Sequence, residues 1–457
     1  MALAWHNCFS AQRLGAERTT VDPRTAYERD YDRLIFSAPF RRLQGKTQVF
    51  PLPERVFVHN RLTHSLEVVS VGRSLGTEVG GRLAELPELA GHPEAQEFYR
   101  HQLRSVFSAA CLAHDIGNPA FGHAGEEAIS RYFLEREGDT DFSGQFTEAQ
   151  WRDLTRFEGN ANAFRLLTRH FPGRLPGGFQ LTYTTLASIL KYPCESTAQE
   201  KKAGKHRSKY GYFQSDTRAF EQLLEELPLE RESAKPRAHF RHPFVYLVEA
   251  ADDICYTVMD YEDGHRLGIL GFEELKGDFL ELLEAAGTVD MHSVQLHLER
   301  LRADEEEAVA YLRAKVIGAL VTACVAVFMR ERASILQGRY GQNLLDGVPP
   351  LQPVLRKIAQ KSYQRIYKHE SVVKIELAGF EIMSGLIKDL VEAVSLPAEK
   401  RQKRHKKVLG LMPRPYLVEG PLYERIMGVL DYVSGMTDPY ALELYRNLRG
   451  ISIPGVH

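Results

Sequence analysis

Three otherwise apolar segments of this chain carry imidazole and carboxylate side chains where purely water-excluding residues would be expected. CLAHDIGNPAFGHAG, Cys111 to Gly125, places His114 and Asp115 at the end of an apolar run. In NRLTHSLEVVSVGRSLG, Asn60 to Gly76, His64 lies four residues before Val68 and shares the core-facing stripe with Val68, Val71 and Leu75. FVYLVEAADDICYTVMDYEDG, Phe244 to Gly264, is an apolar helix with Asp252, Tyr256 and Asp260 at four-residue spacing, hence along one face. A single His-Asp dipeptide carries little weight in a chain with 17 histidines; the three segments together carry more. Burying an unpaired carboxylate is expensive or forces it to protonate, so acids on apolar stripes need a cation. A divalent metal held by His64, His114, Asp115 and Asp252 would supply it. Two imidazoles and two carboxylates suit Mn²⁺, Fe²⁺, Mg²⁺ or Zn²⁺ and leave room for water and a substrate. The competing reading is a salt-bridged core without metal, which has to explain all three segments at once.

His123 and Glu126 stand three residues apart where a new helix begins, so both can face one point. A histidine oriented by a carboxylate is a good proton carrier near neutral pH. The alternative is an exposed histidine beside a first-turn glutamate that suits the helix dipole.

The elements that would position these groups are helical. SVFSAACLA, Ser105 to Ala113, is apolar almost all round, as a buried helix is, and Gly117 with Pro119 ends it. Val68, Val71, Leu75 and Val79 recur at helical steps, as do Leu275, Phe279 and Leu282. Strand alternation is scarce; TQVFPLPERVFVH, Thr47 to His59, is the expected site of one short β-hairpin, with Pro51 and Pro53 at its turn. Ala90–Ala95, Phe171–Gly178 and the polar Glu195–Lys209 read as loops. The expected fold is all-α, a helical body over residues 1–345 and a C-terminal helical region over 346–457, with no internal repeat.

Composition bounds the function classes. A chain of 457 residues with 44% hydrophobic residues is globular, and a net charge of −2 gives no global field for nucleic acid or membrane. Five cysteines without CxxC spacing argue against a zinc ribbon or a disulfide framework and suit a reducing cytoplasm. The N-terminal stretch lacks the pattern of a signal peptide, and the run from Val316 to Met329 reads as too short to span a bilayer before Arg330. A cytoplasmic protein is expected. The basic run KRQKRHKK, Lys400 to Lys407, fits a solvated helix face, a polyphosphate contact across a subunit interface, or single-stranded nucleic acid; it lacks interleaved aromatics for base stacking.

The order H…HD…D, as His64, His114–Asp115 and Asp252, resembles the HD superfamily of metal-dependent phosphohydrolases. The words FRRLQGKTQVFP, HNRLTHSLEV, HDIGNPAFGHAGE, RFEGNANAF, KYGYF and ADDICYTVMDYEDG are more specific and resemble bacterial deoxyguanosine triphosphate triphosphohydrolases, from about Asp30 to Gly268. That resemblance implies an all-helical HD fold and hydrolysis of dGTP to deoxyguanosine and tripolyphosphate. It also implies one divalent metal per subunit, Mn²⁺ or Mg²⁺ ahead of Fe²⁺, Zn²⁺ or Co²⁺, and homo-oligomers, hexamers built from dimers.

Further site residues follow from the resemblance. His123 and Glu126 would serve at the attacking water or the leaving oxygen of the α-phosphate. Arg61, three residues before His64, would bind phosphate, as would Asn160, Lys191, Tyr192 and Lys209, although a solvated surface role remains open for each lysine. Gln48 and Asp260 would bond the sugar 3′-hydroxyl, and the Tyr256 ring would exclude a ribose 2′-hydroxyl; Tyr256 as plain core is the alternative. Tyr367 and Glu376, in YKHESVVKIE, look like the family's base-contacting pair, with Glu376 as an ordinary helix acid the other reading. A broader dNTP triphosphohydrolase, an HD nucleotidase acting on monophosphates, and a nucleic-acid-binding protein with a regulatory HD site are the rival functions.

Overall fold

A computed structural model describes residues 3–16, 22–50, 58–170 and 176–452. The chain is helical as expected, with one two-stranded antiparallel sheet among the described residues. The helices that matter for the site are α1 (Arg61–Ala84), α2 (Leu103–Ala113), α3 (His123–Leu134), α4 (Gly159–Thr168), α5 (Val245–Arg266), α6 (Phe272–Ala286) and α7 (Glu305–Arg330). The C-terminal region adds α8 (Glu370–Ser395), α9 (Lys403–Gly410), α10 (Leu422–Ser434) and α11 (Asp438–Arg449).

α1 is the axis of the body. Asn60 caps it by accepting from the Thr63 N–H, while Thr63 accepts the Asn60 N–H in return. His64, Val68, Val71, Leu75 and Val79 are all buried on one side of it. Glycines let α2 approach closely: a Cβ on Gly72 would sit 2.5 Å from Cys111 Sγ, and one on Gly76 would sit 2.6 Å from the Phe107 ring. This contact brings the end of α2, with its His114 cap, beside His64. α5 and α7 close the other sides of α1, and α6 packs on α7. A second apolar cluster joins α3 and α4 to α8, α10 and α11.

Some sequence expectations need correction. Residues 51–57 of the expected Thr47–His59 hairpin lie outside the described residues; Thr47 and Asn60 form a single antiparallel bridge. The two-stranded sheet is elsewhere, β1 (Arg231–Ala234) paired with β2 (Arg237–His239), in a charged stretch that shows no apolar alternation. Ala90–Ala95 is not all loop, because Pro93 opens a short helix, Pro93–Glu97, at the position where proline's missing N–H costs nothing. Residues 171–175 of the Phe171–Gly178 loop lie outside the described residues. Glu195–Lys209 is irregular, with three single 3₁₀ turns. The Val316–Met329 run is part of the 26-residue α7, whose length and composition do suffice to cross a membrane, contrary to the sequence reading. More than half of its apolar window is buried, against α1, α5 and α6, as in the core helix of a globular body.

Candidate active site

The ends of α1, α2 and α5 bring His64, His114 and Asp252 together, with one ligand atom from each lying within 4.8 Å of the others. His64 Nε2 is 3.2 Å from Asp252 Oδ1. The His114 Nδ1–H donates to the Cys111 carbonyl at 2.7 Å, which orients the ring and turns Nε2 inward. That Nε2 is buried and makes no hydrogen bond among the described residues; it stands 3.6 Å from Asp252 Oδ1 and 3.7 Å from Asp115 Oδ1. Burial pulls His114 toward neutrality, yet the charges of Asp115 and Asp252 outweigh it and raise the imidazole to about 9. Asp252 is held well below the ordinary carboxylate range, burial being overcome by the two histidines. These residues therefore compete for positive charge at their common centre, and the orphaned His114 Nε2 is the donor a cation would take. They fit a divalent metal.

Asp115 stands beside this triple with both oxygens engaged. Arg61 Nη1 donates to Oδ2 at 2.6 Å and Asn118 Nδ2 to Oδ1 at 2.7 Å. Despite burial, the Arg61 guanidinium lowers the Asp115 carboxyl.

A cavity of about 480 Å³ opens from this cluster, within the range of small-molecule sites. Fourteen of the sixteen residues singled out from the sequence line it; His64 and Asp260 do not. His123 is the first residue of α3, and its Nδ1 meets Glu126 Oε2 at 2.9 Å, while Glu126 Oε1 accepts the Gly159 N–H at the start of α4. The bond to Glu126 raises the His123 imidazole. His123 is 87% exposed, so its ring stands at the open side of the cavity while Glu126 is nearly enclosed.

The two lysines are not simple surface cations. Lys191 Nζ is 3.0 Å from Glu249 Oε1, and Lys209 Nζ is 3.0 Å from Glu158 Oε1. Glu158 also accepts the side-chain amide of Asn160 at 2.7 Å. Tyr192 is buried in the wall beside them. Glu158, Glu249 and Asn118 escaped the sequence reading. Glu249 had a usable signal, lying three residues before Asp252 on the same apolar helix; Asn118 and Glu158 sit inside HDIGN and FEGN, where only their neighbours drew attention.

One turn beyond Asp252 on α5, Tyr256 is 45% exposed and stacks on Tyr367, with ring centroids 5.7 Å apart and planes inclined by 13°. The alternative of Tyr256 as core is thereby set aside. Asp260 is buried behind the pair, where it accepts the Tyr367 hydroxyl at 2.7 Å; burial raises its carboxyl to about 7. Gln48 lines the cavity with a buried Oε1 that makes no hydrogen bond among the described residues. Glu376 lies exposed on α8, at the cavity edge. The basic run falls on α9 and the turn before it, and none of its residues lines this cavity.

Two family models match: an HD domain over residues 61–175 and a phosphohydrolase-associated domain over 350–447. A deoxyguanosinetriphosphate triphosphohydrolase-like protein of Synechocystis sp. is 38% identical, covering 99% of this chain and 100% of its own length. A protein of the same name from Pseudomonas aeruginosa is 34% identical over 98% of this chain and 99% of its own. The deoxyguanosinetriphosphate triphosphohydrolase of Yersinia pestis is 29% identical over 92% of this chain and 93% of its own. The HD domain is that of metal-dependent phosphohydrolases, the chemistry for which the His64–His114–Asp252 cluster is suited. With a helical body, that cluster and relatives matched from end to end, the chain belongs to the deoxyguanosinetriphosphate triphosphohydrolase family of HD-domain phosphohydrolases.

Proposed function

We propose that this chain hydrolyses dGTP to deoxyguanosine and tripolyphosphate by attack of water at the α-phosphorus. The observation that carries the reading is the charge of the cavity wall. Arg61, Lys191 and Lys209 face five carboxylates, those of Asp115, Glu126, Glu249, Asp252 and Glu376. With the His114 and His123 imidazoles raised as well, five cations face these five anions, and a divalent ion taking the place of the His114 proton would tip the wall to positive charge, toward a triphosphate. His64, His114 and Asp252, with Asp115 adjoining, would hold that ion. Mn²⁺ or Mg²⁺ suits this set, with Fe²⁺, Zn²⁺ and Co²⁺ as substitutes, and the ion supplies charge neutralisation and Lewis acidity at the phosphate.

The chain's own groups do the rest. Arg61, Lys191, Lys209 and Asn160 bind and orient the phosphates, beside Tyr192. The carboxylates of Glu249 and Glu158 hold the two ammonium groups at the wall before a substrate arrives, so little ordering remains to be done on binding. As water adds to the α-phosphorus, the bond to the 5′-oxygen breaks and that oxygen takes a proton. His123 gives this proton from Nε2, because Nδ1 is tied to Glu126 and the raised imidazole holds it ready near neutral pH, and the proton shed by the attacking water restores the imidazolium. At the sugar end, the Gln48 Oε1 is an acceptor suited to a 3′-hydroxyl. The Asp260 carboxyl, reached through the Tyr367 hydroxyl, backs the same wall, and the Tyr256 ring leaves no room for a 2′-hydroxyl. Tyr367 and Glu376 would meet the base, Glu376 accepting from the guanine N1–H and N2–H₂ donors.

A second reading is a broader dNTP triphosphohydrolase, favoured because the relatives at 38 and 34% identity carry the qualified name "-like". Assembly into homo-oligomers, hexamers by family resemblance, belongs to either reading. Incubation of the purified protein with each of the four dNTPs and Mn²⁺, followed by product separation, tests both. Tripolyphosphate and deoxyguanosine from dGTP alone support the first reading, and tripolyphosphate from all four supports the second. Release of orthophosphate instead would refute attack at the α-phosphorus, and release of pyrophosphate with dGMP would refute expulsion of the 5′-oxygen.

A further inference from the structure

The chain enters α3 through a corner that needs holding. Phe121 and Gly122, the two residues before His123, have φ of 59° and 56°. Glycine adopts this left-handed backbone freely, but a residue as bulky as phenylalanine does so only where its surroundings enforce it. Two contacts enforce it here, both from the C-terminal helices. The Phe121 N–H donates to Asp438 Oδ1 at 2.9 Å. The Phe121 ring lies against Gly379 of α8, where a Cβ would come within 2.5 Å of it.

Asp438 does more than hold Phe121. Its other oxygen, Oδ2, accepts the Thr47 N–H at 2.9 Å, from the residue that precedes Gln48. One carboxylate, 8% exposed at the first turn of α11, thus spans the loop that aims His123 and the loop that carries Gln48. Beside it, the buried Lys46 ammonium donates to the carbonyls of Asn118 and Ser434, tying the same two loops to the end of α10. Neither Asp438 nor Lys46 contacts His64, His114 or Asp252.

We infer that Asp438 is a positioning residue for the hydrolysis: its carboxylate keeps Phe121 in the left-handed conformation and so sets the His123 imidazole at the cavity, with Gln48 facing it. The phosphohydrolase-associated region thereby acts as the brace of the HD domain's proton carrier. This inference rests on the reading of His123 as that carrier.

The test uses Asp438→Asn, which keeps size and one acceptor but turns an amide NH₂ toward a backbone N–H. Turnover (kcat) is expected to fall about 10- to 100-fold, the range for a misplaced catalytic group, while Mn²⁺ affinity measured by calorimetry stays within twofold. Because the effect passes through His123, the same substitution on a His123→Ala background is expected to lower kcat less than twofold further. Gly379→Ala supplies a second perturbation that spares Asp438. It favours the α8 helix yet pushes Phe121 from the other side, and it is expected to lower kcat about tenfold. Wild-type kcat in Asp438→Asn or in Gly379→Ala overturns the positioning role. So does an Asp438→Asn loss that is as large without His123 as with it. Wild-type turnover in His123→Ala alone overturns the proton-carrier reading instead, which separates the two failures.

Discussion

His59 offers a quantitative test of how the two helices that bear His64 and Asp252 are held in register. Its Nε2 meets Glu67 Oε1 at 2.9 Å, on α1 just beyond His64. Its Nδ1 meets Asp263 Oδ1 at 2.8 Å, on α5, and its backbone N–H donates to Asp263 Oδ2 at 2.9 Å. Burial works against a charged ring, but the bonds to Asp263 and Glu67 more than compensate and raise the imidazole to about 10. An unfolded histidine titrates near 6.5, so the clamp's stabilisation is fully present below about pH 6.5 and is lost as pH rises through about 10. The full displacement corresponds to about 5 kcal/mol. Glu67 is 32% exposed and water screens its share, which brings the expected figure to about 2–3 kcal/mol. For a chain of this length that is about 2–3 °C in Tm. The perturbation is His59→Gln, which keeps hydrogen-bonding groups at the ring's place without the charge. The assay is differential scanning fluorimetry of both proteins at pH 6.5, 8, 9 and 10.5, read as the Tm difference between them, in which the titration of lysines and tyrosines cancels. The difference is greatest at pH 6.5 and closes by pH 10.5. A gap that stays constant or widens over this range refutes the imidazolium clamp. With the clamp broken, Mn²⁺ affinity at pH 7 falls about tenfold, as for other supports of a metal site.

Asp252→Asn removes the carboxylate common to both histidines; elemental analysis of the purified variant is expected to show bound metal falling from about one per chain to under a tenth of that, and retention of metal would place the site elsewhere. Tyr256→Ala opens the sugar wall, so the ratio of kcat/KM for dGTP over GTP is expected to fall about tenfold or more, whereas an unchanged ratio would show that another group excludes the 2′-hydroxyl. Replacing the lysines and arginines of Lys400–Lys407 by glutamine leaves dGTP turnover within twofold, since none of them lines the cavity. If the run also binds single strands, fluorescence anisotropy of a labelled oligonucleotide shows a salt-dependent affinity in the parent protein that this variant lacks.

What was legible in the sequence is what can be decided within one helix. His64 on a buried apolar stripe, and Asp252 on another, announce a buried charge that must be neutralised, and the helical repeat fixes which neighbours share the face. The end of α2 ahead of Gly117 and Pro119 follows from the same local chemistry. The hairpin at Arg231–His239 was invisible because its residues are charged on both faces, so no alternation marks it. Asp438 is the sharper case. In sequence it is an aspartate before a proline at a helix start, indistinguishable from the acid that any helix N-terminus favours. Its role exists only through Thr47 and Phe121, each more than 300 residues distant. Glu158 and Glu249 differ from solvated glutamates only in that a lysine from another segment meets each of them. A carboxylate's local signature is the same whether water, an ammonium group, a backbone N–H or a metal ion lies opposite. Periodicity therefore reveals that a charge is buried but not what balances it. In this protein the balance is struck between α1, α2, α5 and the C-terminal helices, which is why the buried polar residues were readable one helix at a time and the groups that meet them were not.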